Sequence, residues 1–179
     1  MIDIRKLKNW HAPENWIEIQ TIDAHTCGEP LRIIISGFPD IIGKSLLEKR
    51  AYVKNNLDQL RKAIMWEPRG HADMYGALVT EPDTPGADFG VIFIHNEGYS
   101  TGCGHAVIAL TKMFVETGLI KKEEPITEVN MDVPSGFIRA FAEVENGKVK
   151  SVGFRNVPSF VQHLDLVIDI PGLGNIRYD

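Results

Sequence analysis

The sequence contains little cysteine and little positive charge. Two cysteines, Cys27 and Cys103, occur in 179 residues, which is too few for a disulfide framework. The 19 Lys and Arg are outnumbered by 24 Asp and Glu, so the net charge is -5. Nucleic-acid and anionic membrane surfaces need clustered basic side chains, and the sequence therefore predicts neither partner. Unpaired thiols indicate a reducing, cytoplasmic location.

Other common signals are also missing. No apolar run is long enough to span a bilayer, and the N-terminus lacks the apolar middle region of a secretory signal. The histidines and cysteines show no H-x-x-x-H or C-x-x-C spacing, and no glycine-rich nucleotide motif is present. We therefore expect no membrane segment, no metal and no nucleotide. The 44% hydrophobic content is typical of a globular chain.

The first part of the chain predicts two strands and a helix. Apolar and polar residues alternate over residues 16–23, which predicts a half-buried strand, and "LRIIISG" predicts a second strand after a turn at residues 28–30. Ser45 and Glu48 form a capping box. They predict one amphipathic surface helix with apolar residues at Leu47, Leu57, Leu60 and Ile64.

The second part predicts a buried helix among strands. "YGALVT" and "FGVIFIHN" read as strands, and a helix is predicted from Gly104 to Thr117, ending at Gly118. This helix is apolar on nearly every face, so protein must surround it. Strands follow, two of them joined by an Asn146-Gly147 turn. The sequence thus predicts an α+β fold in which a sheet curls around a central helix.

Cys103 is predicted to lie where this buried helix begins. Unpaired backbone N–H groups and the helix dipole both favour a thiolate there, so we expect a reactive cysteine with a low pKa. The N–H groups around Gly104 and His105 are suited to a substrate carboxylate. An equally weighted alternative is that Cys103 is a small buried residue and His105 a polar cap. Spacing does not select a partner histidine among His25, His71 and His95.

Four stretches in order resemble the proline racemase family. They are "DAHTCGEPLRI", "EPRGHADMYGALV", "HNEGYSTGCGHAVIAL" and "NVPSFV", and the likeness runs from about Ile19 to the last residue. The family includes proline racemase, hydroxyproline 2-epimerase and trans-3-hydroxy-L-proline dehydratase. Two positions depart from the family pattern: Gly102 stands where Met is usual, and Cys27 stands where Gly or Ala is common.

The resemblance implies a fold and a chemistry. The fold is like that of diaminopimelate epimerase, with two similar lobes that each wrap a mostly antiparallel sheet around a central helix. The substrate lies between the lobes, and one catalytic residue begins each central helix. Cys103 matches the first of these residues, while Gly104 and His105 match positions that hold the substrate carboxylate. The chemistry is removal of the Cα proton of a proline derivative without a cofactor.

The branch within the family depends on the second catalytic residue. Racemases and epimerases use a second Cys, whereas the dehydratase has Thr, and that position lies beyond residue 179. The residues flanking the C-G-H motif are most similar to dehydratases, so trans-3-hydroxy-L-proline dehydration is the favoured activity. The alternatives are a racemase or epimerase, and a non-catalytic relic that at most binds a small amino-acid carboxylate.

Four further residues match family motifs and are predicted to shape the site without contacting substrate. His25 and Glu29 lie in "HTCGEP", where a His-Glu pair also serves to secure a turn. Arg69 and His71 lie in "EPRGH", where ion pairs with Glu67 or Asp73 are an equal alternative.

The chain ends on what reads as the second arm of a hairpin, "VIDIPGLGNIRYD". From this we predict a truncated protein. Its parts are an N-terminal extension at residues 1–15, the first catalytic lobe at 16–162, and the start of a second lobe at 163–179. An isolated lobe is expected to expose an apolar face, and therefore to self-associate or form a homodimer.

Overall fold

One curved eight-stranded sheet dominates the structure, a computed structural model that describes residues 2–179. Met1, the first residue of the predicted N-terminal extension, lies outside the described residues. The strands are β1 (Gln20–Thr26), β2 (Glu29–Ser36), β3 (Tyr75–Thr80), β4 (Phe89–His95), β5 (Gly98–Ser100), β6 (Ile126–Val133), β7 (Gly136–Glu145) and β8 (Lys148–Arg155). The helices are α1 (Leu46–Asn56), α2 (Asp58–Met65) and α3 (Gly104–Glu116). A short 3-10 helix spans Ile4–Asn9.

The sheet is mostly antiparallel and curls around α3. Its order is β1-β2-β3-β4-β6-β7-β8, with β5 paired to β4. The β2–β3 and β4–β6 pairs are parallel, and the other pairs are antiparallel. Both edge strands, β1 and β8, contact α3. The predicted α+β fold with a central wrapped helix is confirmed.

Two apolar layers cover the two faces of the sheet. On the concave face α3 buries Val107, Leu110 and Phe114 against the strands. On the opposite face α1 and α2 pack through Val53, Ile64 and other residues. β4 is covered on both sides, which explains why its sequence is an apolar run without alternation. The predicted helix limits are also confirmed, since Gly118 ends α3 with φ +77°.

The first strand and its turn differ from the prediction. β1 begins only at Gln20, and Trp16 and Ile17 lie exposed outside the sheet. The turn is centred on Cys27 and Gly28, whose φ angles of 51° and 99° reverse the chain, so Glu29 is already in β2. The alternation of apolar and polar residues over 16–23 therefore predicted a strand that begins about four residues too early.

The single amphipathic helix predicted after Ser45 is wrong, because the helix breaks at Leu57. The Leu57 backbone has φ -126° and ψ 12°, outside helical values, and it follows Asn55 and Asn56, which are poor helix formers. The break redirects α2 so that Arg61 becomes buried beneath the β4–β5 turn. Leu47, predicted to be on the apolar face, is 59% exposed.

The predicted hairpins at Asn146-Gly147 and at the C-terminus are confirmed. Asn146 and Gly147 have φ angles of 53° and 72°, as a tight two-residue turn between β7 and β8 requires. Near the C-terminus β9 (Leu166–Ile170) pairs with β10 (Gly174–Tyr178) in a separate two-stranded sheet whose side chains are almost all exposed. Within residues 2–179, no helix has the length and apolar character needed to cross a membrane.

Candidate functional site

Cys103 occupies the position just before the first turn of α3. Its backbone is extended, with φ -155°, and its carbonyl accepts the first helical hydrogen bond, from Val107 N–H at 3.0 Å. The backbone N–H groups of Gly104, His105 and Ala106 have no acceptor within the helix, because they lie in its first turn. Of these, the Ala106 N–H interacts with the Cys103 thiol.

A cavity of about 350 Å³ opens beside this thiol. Thr101, Gly102, Cys103 and Gly104 form one wall, and the rest of the lining is Val107, Ser135, Ile138, Phe154, Asn156 and Val157. A Cβ atom at Gly104 would lie 3.2 Å from Phe154 Cζ, so the missing side chain lets that ring approach the helix start. The lining combines apolar side chains with polar groups that include the thiol, the Ser135 hydroxyl and the Asn156 amide.

His105 is adjacent to the thiol. Cys103 Sγ lies 3.6 Å from His105 Nδ1 and 3.5 Å from Nε2, within hydrogen-bonding distance for sulfur. The imidazole meets the Tyr75 ring edge-on, with centroids 4.9 Å apart. Its backbone carbonyl accepts a hydrogen bond from Thr26 Oγ1 at 2.9 Å, which ties α3 to the β1–β2 hairpin.

The low pKa expected for Cys103 is wrong. Burial raises the pKa of this thiol to about 11, and the nearby Glu29 carboxylate also raises it. The Ala106 N–H acts in the opposite direction but is outweighed. Desolvation disfavours the charged form of any acid, and here it exceeds the effect of the helix start. The thiol is therefore protonated at neutral pH.

Two of the four shaping residues flank the β1–β2 turn, His25 on β1 and Glu29 on β2. His25 secures that turn, since its Nδ1 accepts the Gly28 N–H at 3.3 Å. Glu29 is exposed and acts on Cys103 through its charge. His25 thus has the turn-securing contact that the alternative predicted. Glu29 interacts with Cys103 through its charge alone.

Arg69 and His71 contribute backbone carbonyl groups to hydrogen bonds with other elements. Arg69 O accepts from Arg32 Nη1 at 2.5 Å, and His71 O accepts from Asn96 Nδ2 at 3.0 Å. Neither side chain lines the Cys103 cavity. Among residues 2–179, neither forms an ion pair with Glu67 or Asp73.

A buried polar network that the sequence did not indicate supports the turn before Cys103. Arg61 is 4% exposed, and its Nη1 donates to His95 O at 2.7 Å and to Asn96 O at 2.5 Å. Its Nε donates to Asp58 Oδ1 at 2.6 Å, and Tyr99 Oη donates to the same oxygen at 3.1 Å. This pairing lowers the pKa of Asp58 to about 2. The network anchors the β4–β5 hairpin that leads into Cys103.

Only the Asp58–Arg61 spacing hinted at this network. Residues three apart on a helix face each other, which makes an Asp-Arg pair common on exposed helix surfaces. The acceptors on His95 and Asn96 lie 34 and 35 residues further along the chain, so local sequence carried no signal for burial.

No three His, Cys, Asp or Glu side chains within the described part of the chain converge in a way that suits a metal ion.

Comparison with known proteins agrees with this architecture. The sequence model described as proline racemase matches residues 21–179. The chain belongs to the proline racemase family. A family relative from Colwellia psychrerythraea, named trans-3-hydroxy-L-proline dehydratase, is 49% identical over 177 residues, covering 97% of this chain and 50% of its own. The proline racemase of Clostridioides difficile is 47% identical, covering 90% of this chain and 48% of its own.

A solved structure in the proline racemase family shares the fold. The hydroxyproline epimerase of Agrobacterium vitis, solved with bound trans-4-OH-L-proline, superposes with a TM-score of 0.79 at 29% identity. The match covers 89% of this chain and 47% of that one. The chain thus spans about half the length of the curated relatives it matches.

Proposed function

We propose that Cys103 is the base of an enzyme that removes the Cα proton of a proline derivative without a cofactor. The favoured reaction is dehydration of trans-3-hydroxy-L-proline. The observation that carries the proposal is the position of Cys103, a thiol at the start of the central helix that faces a cavity and lies within 3.6 Å of an imidazole. The 49% identity to a dehydratase supports the choice of reaction.

The helix start supplies the substrate contacts in this proposal. The backbone N–H groups of Gly104 and His105 bind the substrate carboxylate, because unpaired donors and the helix dipole favour an anion. This contact holds Cα next to Cys103 Sγ. Val107, Ile138 and Phe154 line the cavity and keep water from the reacting carbon. A carboxylate held by fixed donors also stabilises the charge that develops when Cα loses its proton.

The reaction needs the ionised form of Cys103. The thiolate takes the Cα proton and becomes a thiol, and the released electron pair forms a bond between Cα and C3. The C3 hydroxyl leaves with a proton as water, and the resulting enamine tautomerises to pyrroline-2-carboxylate. Because burial raises the pKa of Cys103 to about 11, the thiolate is scarce at neutral pH but strongly basic once formed.

The alternative reaction is racemisation or epimerisation. It requires a second thiol on the opposite face of Cα, whereas dehydration pairs Cys103 with a threonine. The Clostridioides difficile relative supports this alternative at 47% identity, only slightly below the dehydratase. In this proposal the deciding residue lies beyond residue 179, and the flanking "HNEGYST" and "EPRGHADMYGAL" stretches favour the dehydratase.

The proposal assigns a role to each part of the chain. Residues 16–162 form the first catalytic lobe, preceded by the N-terminal extension at 1–15, and residues 163–179 begin the second lobe. The exposed apolar side chains of the β9–β10 hairpin, such as Val167 and Leu173, support this division. They also support self-association when the hairpin is left uncovered. Turnover by residues 1–179 alone is expected to be weak or absent.

The test restores a second lobe. Residues 1–179 are fused to the half of the Colwellia psychrerythraea enzyme that they do not match, and product is followed by proton NMR in D2O. We expect conversion of trans-3-hydroxy-L-proline to a pyrroline carboxylate, with L-proline and trans-4-hydroxy-L-proline much less altered. Inversion of L-proline would favour the racemase. A folded fusion that leaves all three substrates unchanged would support the non-catalytic alternative.

A further inference from the structure

Tyr75 touches the chain on both sides of Cys103. It is the first residue of β3, and its backbone pairs with His95 on β4. Its ring meets the His105 imidazole at 4.9 Å between centroids, with an interplanar angle of 84°. Its hydroxyl lies 3.4 Å from Ser100 Oγ. Tyr75 therefore contacts the residue three before Cys103 and the residue two after it.

The segment between these contacts is held through its backbone, since Thr101 O accepts from Ser135 N–H at 2.9 Å and Cys103 O accepts from Val107 N–H at 3.0 Å. Gly102 and Gly104 flank Cys103, and glycine leaves the backbone free to adopt many conformations. A Cβ atom at Gly102 would meet only Ser135 Oγ, at 3.4 Å. The backbone bonds leave the side chains around the thiol to be positioned by their own contacts, of which His105 provides the nearest.

Tyr75 itself is held firmly from the far side. Its ring stacks on the His95 imidazole, with centroids 5.2 Å apart and an interplanar angle of 27°. His95 Nδ1 accepts the Glu97 N–H at 3.2 Å, and His95 O accepts from the buried Arg61. The stack thus extends from the Arg61 network to His105 through two aromatic contacts.

We infer that Tyr75 is a positioning residue that holds His105 against Cys103 and keeps water from the thiol. The inference rests on the proposed role of Cys103. The charged and titratable groups that face this cluster are Glu29 from β2, His95 from β4, Arg61 behind His95, Glu97 after β4, and His105 on α3 itself. Removing the Tyr75 ring leaves all of these groups in place, so its effect reports packing at the thiol.

The test measures how fast iodoacetamide alkylates Cys103 between pH 7 and pH 10.5, without substrate. A Cys27→Ser background leaves one thiol. Tyr75→Leu is expected to raise the rate at pH 8 about tenfold and to move the pH profile to lower pH, because one pKa unit changes the thiolate fraction tenfold. Tyr75→Phe keeps both ring contacts and should change the rate less than twofold.

The matched control is Tyr52→Leu, which removes a partly buried tyrosine ring from α1 and should leave the Cys103 profile unchanged. A folded Tyr75→Leu chain with an unchanged profile would overturn the inference. If that variant does not fold, nuclear Overhauser contacts between the Tyr75 and His105 rings in the parent chain decide, and their absence would overturn it. Because the alkylation assay uses no substrate, its outcome does not depend on whether the proposed reaction occurs.

Discussion

The chain contains the dipeptide Cys-Gly twice, in opposite surroundings. Cys27-Gly28 forms the turn between β1 and β2, with both φ angles positive and Cys27 exposed. Cys103-Gly104 begins α3, with Cys103 extended and partly buried in a cavity wall. The two sites are neighbours, since Thr26 donates a hydrogen bond to His105.

The comparison shows that two cysteines followed by glycine have different surroundings because of their positions in the fold. Gly28 lets the backbone reverse, whereas Gly104 lets the Phe154 ring approach the helix start. The turn leaves its thiol in water, while the helix start gives Cys103 unpaired N–H donors and a neighbouring imidazole. The Cys-Gly dipeptide thus reverses the chain at one site and provides a candidate base at the other.

Thiol modification provides the largest expected contrast. Raising the pKa of Cys103 from 9.0 to about 11 reduces its thiolate fraction at neutral pH about a hundredfold. We expect iodoacetamide at pH 7.5 to modify the exposed Cys27 faster than Cys103 by about that factor. Mass mapping of the two peptides over time measures both rates. Faster labelling of Cys103 than of Cys27 would contradict the raised pKa and support the low pKa that the sequence predicted.

The raised pKa of Cys103 should also lower the free energy of unfolding at alkaline pH. The folded state holds the Cys103 proton more tightly than the unfolded state, so this contribution is complete below pH 9 and is lost as the pH rises through about 11. Allowing for partial solvent screening, we expect about 1–2 kcal/mol.

Urea unfolding from pH 8 to pH 11 measures this loss. Relative to the parent chain, Cys103→Ser should reduce the pH dependence, and Cys27→Ser serves as the matched control. Parallel curves for the parent chain and Cys103→Ser would contradict a raised pKa at Cys103.

The two glycines provide the smallest contrast. Gly28→Ala places a side chain at φ +99° and should cost about 1 kcal/mol of unfolding free energy. Gly104→Ala has no such strain, and the better helix propensity of Ala offsets the close Phe154 contact, so stability should change by less than about 0.5 kcal/mol. Denaturant midpoints measure both. An equal loss of unfolding free energy at Gly28 and Gly104 would contradict the different roles assigned to these two glycines.

Local patterns were sufficient to predict much of the fold. The limits of α3 follow from its apolar run and Gly118, and the Asn146-Gly147 turn follows from two residues that tolerate positive φ. These features depend on neighbours in sequence. The four family motifs likewise indicated Cys103 as the residue that begins the central helix.

Features set by distant contacts were not predictable. The pKa of Cys103 depends on burial by residues such as Phe154, about 50 positions away, so the helix-start argument gave the wrong direction. The break at Leu57 leads into a helix whose Arg61 bonds His95 and Asn96, on another element. Periodicity reports which face of a helix is apolar but not where a helix must bend to bury a charge.

The most direct test compares the two thiols in one active protein. Residues 1–179, fused to the half of the Colwellia psychrerythraea relative that they do not match, are assayed by NMR for loss of the Cα proton of trans-3-hydroxy-L-proline. We predict that Cys103→Ser lowers the rate by about a thousandfold, the scale of a lost general base. Cys27→Ser should stay within about twofold of the parent fusion, as expected for a surface change. Retained turnover in Cys103→Ser, or its loss in Cys27→Ser, would contradict the assignment of the base to the start of α3.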